Sequence, residues 1–133
     1  YIAGKIITAI APASPAAPTA ANGMKLGTAS TAATKADAGL ATYLTASNLA
    51  FDATFPQTAN LGAGLGVNAV YKTTWAAGVA TSATINEVAI VNDQATNADS
   101  TAANTYSRAV LTTVNKTASD SLAVTWNWKA LGA

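Results

Sequence analysis

Between Ser121 and Lys129 the side chains change sides at every step. Leu122, Val124, Trp126 and Trp128 fall on one side of an extended chain, and Ala123, Thr125, Asn127 and Lys129 on the other. Period two in β-branched and aromatic residues marks a half-buried strand. Two further runs, 83–93 and 105–114, read as strands before it. The connection Asn115-Lys-Thr-Ala-Ser-Asp120 has the composition of a hairpin turn, with Lys116 and Asp120 placed to lock it. These three strands make two antiparallel pairs in a meander, a nucleus to which earlier strands add.

Upstream, 67–75 is a further strand, with Val67, Ala69, Tyr71, Thr73 and Trp75 on one face. The run 48–55 alternates and is closed by Pro56, and 24–27 is a short strand. The stretch 28–36 is rich in Ala, Thr and Ser and reads as loop. Residues 35–44 suit a short helix, with Asp37 in the first turn and Leu40, Tyr43 and Leu44 on one face, although Gly39 opposes it. The polar stretch 92–104 reads as an exposed loop. Closely spaced strands with glycine-bearing turns and no strong helix indicate an all-β fold. The expected form is a β-sandwich or small barrel of antiparallel strands, with an extended N-terminal arm and at most one short helix. Half of the 133 residues are hydrophobic, but many are alanines that bury little area. Larger side chains must then build the core, and Trp75, Trp126, Trp128, Tyr71, Phe51, Val88 and Ile90 are the candidates.

The N-terminal 23 residues stand apart. Pro12, Pro15 and Pro18 exclude a helix or an inner strand and favour an extended, semi-rigid linker. Ahead of it, Ile2, Ile6, Ile7 and Ile10 lie in a strand-forming segment. Such a segment on such a tether is suited to reach a sheet edge on a neighbouring subunit, or to fold back on its own. Two units follow: an arm and linker over 1–23 and a sandwich domain over 24–133. The opening ten residues contain Lys5 and no long apolar core, unlike a signal peptide.

Composition excludes much chemistry. No cysteine and no histidine are present, which removes thiol chemistry and the commonest general base and metal ligand. No apolar run has the length of a membrane-spanning helix. Charged residues are 10% of the chain and the net charge is +1, so no basic field draws nucleic acid. A Thr/Ser/Asn surface with so little charge suits a protein covered by neighbours in an assembly.

Each remaining motif has a structural reading that outweighs the chemical one. Leu61-Gly-Ala-Gly-Leu-Gly66 lacks the Lys-Ser/Thr of a phosphate loop and reads as a flexible connection. Asn92, Asp93, Asn97 and Asp99 offer oxygen ligands without the spacing of a calcium loop, and read as turn residues. Glu87 and Arg108, on adjacent strands, read as a cross-strand or inter-subunit ion pair rather than a catalytic acid with an anion-binding partner. The acids show no glycosidase dyad spacing. Trp126 and Trp128 would stack on sugar rings if they faced outward, and otherwise belong to the core. The expectation is no catalytic activity, no cofactor and no metal.

One resemblance adds to this. In order along the chain stand Trp75-Ala-Ala-Gly-Val-Ala-Thr81, Ile85-Asn-Glu-Val-Ala-Ile-Val-Asn92, Ser107-Arg108, Val114-Asn-Lys116, Asp120-Ser-Leu122 and Val124-Thr-Trp126. The series resembles the C-terminal halves of small virion structural proteins of tailed bacteriophages. Leu26-Gly-Thr28 is similar to their Leu-Gly-Thr-Gly element, with Ala29 in place of the second glycine. The resemblance covers roughly 24–128. It implies a virion component, first of all a head decoration (cement) protein on the outer surface of the capsid. Its implied partners are the major capsid protein and copies of itself, as a trimer, with no nucleic acid and no membrane. A head or tail fibre subunit binding host glycans is the alternative within the virion. An extracellular filament subunit that polymerises by donating its N-terminal strand fits the residues equally.

Overall fold

The computed structural model describes residues 20–131. Seven strands occur among them: β1 (Gly23–Gly27), β2 (Leu49–Ala50), β3 (Gln57–Asn60), β4 (Val67–Trp75), β5 (Ser82–Val91), β6 (Thr105–Lys116) and β7 (Leu122–Ala130). All pairings are antiparallel. One sheet has the order β2-β1-β5-β6 and the other β3-β4-β7, and the two pack together as a β-sandwich.

The interior follows from strand periodicity. Met24 and Leu26 of β1, and Ile85, Val88 and Ile90 of β5, point toward the second sheet, where Trp75 of β4 meets them. All six are buried. Leu122, Val124 and Trp126 of β7 pack against this cluster, as do Tyr71 and Phe51, whose ring centroids are 5.3 Å apart. Trp75 is fully buried, and its indole N–H donates to the Ser47 carbonyl at 2.7 Å. Burying so large a ring requires such a partner for its one polar atom.

Four sequence expectations are corrected. The run 35–44 is not a helix, because no helix occurs among the described residues. The Asp37 side chain instead accepts from the Thr34 N–H and hydroxyl, which closes a local turn. The strands before and after 115–120 do not pair with each other. β6 pairs with β5, whereas β7 pairs along its whole length with β4, from Val67↔Ala130 to Trp75↔Leu122. The connection therefore crosses from one sheet to the other, and its two locking residues separate. Asp120 accepts from the Thr117 N–H and hydroxyl, while Lys116 turns inward and donates to the Ala76 carbonyl at 3.0 Å. Trp128 is 47% exposed and not core, because it lines an open cleft rather than the packed interior. The run 48–55 keeps only Leu49–Ala50 as strand, and β1 begins at Gly23. The arm with Ile2, Ile6, Ile7 and Ile10, and most of the linker, lie outside the described residues.

Candidate functional site

The four-stranded sheet has an outer face as well as an inner one. On it stand Lys25 of β1, Glu87, Ala89 and Val91 of β5, and Arg108 of β6. The loop 28–48 lies over this face and seats Leu40 and Tyr43 against Ala89 and Val91. An Ala/Thr loop has little apolar area to hold itself there, so charged groups do it.

Glu87 is fully buried. Its carboxylate accepts from the N–H groups of Thr42 at 2.8 Å, Ala41 at 3.0 Å and Ala29 at 3.2 Å. Arg108 Nε donates to the same group at 2.7 Å. The rest of the guanidinium reaches the loop as well, donating to Asp37 at 2.7 Å and to the Thr31 carbonyl at 2.8 Å. Opposite Glu87 on the neighbouring strand is Gly27. A Cβ there would collide with the Glu87 side chain and the Thr42 carbonyl. The missing side chain is what lets the carboxylate reach across β1 to the loop.

Burial pushes the Glu87 carboxyl up, but the N–H groups of Ala41 and Thr42, the Arg108 guanidinium and the Ala29 N–H outweigh it and hold it below its ordinary range. Burial likewise disfavours charge on Arg108, and Glu87 and then Asp37 reverse that, leaving it raised. Asp37 is lowered, first by the Thr34 N–H and then by Arg108. All three groups stay charged near neutrality.

A second pin holds the loop 92–104. Lys25 is fully buried, its Nζ 3.1 Å from Asp93 and 2.8 Å from the Ala98 carbonyl. Asn97 Oδ1 accepts from the Tyr43 hydroxyl and the Ala46 N–H, and Asp99 accepts from the Leu40 N–H. One oxygen of each of Asp93, Asn97 and Asp99, considered above as calcium ligands, is thus engaged by a protein donor. Periodicity did not single out Lys25 or Asp37. The alternation Met24-Lys-Leu26 was a signal only that Lys25 faces away from the core.

The border strands of the two sheets are different. β6 and β7 each border a sheet, and among the described residues no strand pairs with their outer edges. Their three charged residues are Arg108, Lys116 and Lys129. The first two are bound inward, and neither strand contains proline. At one end a cleft of about 160 Å³ opens between the sheets, lined by Tyr71, Ile90, Tyr106, Ser107, Trp126 and Trp128. Burial, and secondarily Tyr106, raises the Tyr71 phenol.

The pinned face is chemically closed, because its carboxylates and cations bind one another and the backbone. The border strands β6 and β7 contribute aromatic surface to the cleft between the sheets. No family model, curated protein or solved structure matches the chain.

Proposed function

We propose that this chain is a structural subunit of a virion, a capsid decoration protein that binds an assembled shell through sheet edges and its N-terminal arm. The observation that carries this reading is the pair of border strands, β6 and β7, each paired by a described strand on one side only. Soluble proteins guard a long edge strand with lysines, prolines or a covering loop. Here β6 is twelve residues long and β7 nine, and Lys129 is the one charge on them not bound inward. Low surface charge and the resemblance over 24–128 support the same reading. Decoration works by mass action: a subunit that binds the assembled lattice and not its free parts stabilises the lattice, and many copies multiply a modest contact.

The test is electron microscopy of the native particle with an antibody against this chain. Label distributed over a polyhedral head is the expected result; label confined to a tail or a thin filament overturns it. Exposure of Trp128 beside the aromatic cleft favours a second reading, a fibre subunit that stacks host glycans. Tail label, together with glycan binding lost in Trp128→Ala, would select that reading.

A further inference from the structure

We infer that the end of the three-stranded sheet around Val67 and Trp128 is the contact surface for a second copy of this chain, which meets it about a two-fold axis. The inference rests on the reading of the chain as an assembly subunit, and it names one contact. Six large hydrophobic side chains are exposed among the described residues, and four of them gather at this end: Leu131 at 74%, Leu65 at 60%, Trp128 at 47% and Val67 at 42%. Strand register brings them together. Val67 pairs with Ala130, and Ala69 with Trp128. Cross-strand partners and alternate residues share a face, so Val67 and Trp128 stand on the same face as Tyr71 and Trp126, which pack against the core. Leu131 follows Ala130, and Leu65 lies in the turn that leads into Val67, closed by the Leu61 N–H on the Gly66 carbonyl. A core-facing row of side chains thus runs on into solvent, with two exposed leucines beside it.

Area and charge select a second copy as the occupant. The four residues expose on the order of 400 Å², the scale of the largest apolar patch on a monomer, which is often a functional one. Two such patches set face to face remove on the order of 800 Å² of apolar surface, and with an interface about 60% apolar the whole contact is about 1,300 Å², within the size of specific pairs. Residues 57–71 and 126–131 hold one charge, Lys129, which alternation places on the opposite face. A patch without charge does not repel its own copy, and it offers a charged partner nothing to pair with. A two-fold contact needs a surface that complements itself. This end has both parts: the exposed Trp128 ring, and beside it the cleft of about 160 Å³ that the ring helps to line.

The test uses the full chain in sedimentation equilibrium over a concentration series. The parent should pass from monomer to dimer with a micromolar or tighter dissociation constant, and its thermal midpoint should rise with concentration. Leu65→Lys with Leu131→Lys puts like charges into the contact at two exposed positions and should stay monomeric. Trp128→Ala adds no charge and should weaken association by about tenfold or more, as for an aromatic anchor. At high dilution, where copies are apart, both variants should melt close to the parent. Val79→Lys, at an exposed apolar position past the other end of β4, should associate as the parent does. A parent that stays monomeric or forms only trimers overturns the inference. So does parent-like association of the double variant or of Trp128→Ala, or equal loss in Val79→Lys. Particle labelling is read separately. A monomeric parent on labelled heads removes this contact and leaves the decoration reading standing; dimers with label on a tail or filament do the reverse.

Discussion

The two faces of the four-stranded sheet are built from alternate residues of the same strands and held by different forces. The inner face is apolar, with Met24, Leu26, Ile85, Val88 and Ile90 closing on Trp75. The outer face is covered by loops poor in apolar side chains, and ions fasten them: Glu87 with Arg108 holds 28–48, and Lys25 with Asp93 holds 92–104. Burial of area is tolerant of detail, whereas a buried charge requires every partner. The outer face should therefore be the more brittle, although it buries less hydrocarbon.

The largest effects test that contrast directly. Trp75→Ala should cost about 3–5 kcal/mol through lost burial and a cavity, read as a shift in the denaturant midpoint. Arg108→Leu should cost a similar amount, about 3–5 kcal/mol, by leaving Glu87 buried without its cation. The informative variant is the double replacement Glu87→Leu with Arg108→Leu. Replacing both members of a buried pair by apolar groups is often neutral. Here it should not recover stability, because the N–H groups of Ala29, Ala41 and Thr42 would lose their acceptor. A double variant as stable as the parent would show that the loop does not depend on the carboxylate.

Gly27→Ala comes next, at about 1–3 kcal/mol, since the new methyl displaces Glu87 or the Thr42 carbonyl. Loop 28–48 should lose hydrogen-exchange protection while β4 and β7 keep theirs. Equal loss in both sheets would mean that the outer face is not a separate unit.

These contrasts explain what the sequence discloses. The strand β4 is legible from alternation alone, to its ends at Val67 and Trp75. The loop 28–48 is not, because its hold is made by backbone N–H groups, which every sequence carries, aimed at a carboxylate about fifty residues away. Glu87 and Arg108 are suggested as a pair by their strands, but the loop that completes their partners leaves no periodic trace. The connection 115–120 reads truly as a reversal. Turn residues fix that the chain turns, not that it stays within one sheet, so the pairing of β7 with β4 had no local signal.

Acid should loosen the outer face first. Glu87 and Asp37 are held below their ordinary values when folded. Their contribution is thus fully present above the unfolded carboxyl values, near pH 4, and is lost as pH falls through the lower folded values. Thermal midpoints should be flat from pH 7 to about pH 5 and fall below about pH 4. In Glu87→Gln that fall should be shallower. An equally steep fall would assign the acid sensitivity to other groups.

The smallest effect belongs to Trp128. The sequence puts it on the same side of β7 as Trp126, yet it is 47% exposed, whereas Trp126 packs against the core. Trp126→Ala should therefore cost about 2 kcal/mol or more, and Trp128→Ala under about 1 kcal/mol, as for a residue near the surface. The two rings are two positions apart on one strand, so the difference isolates burial from chemistry and from strand identity. Equal costs would mean that the open end of the sandwich is closed in solution, with Trp128 covered by residues outside 20–131 or by a second molecule.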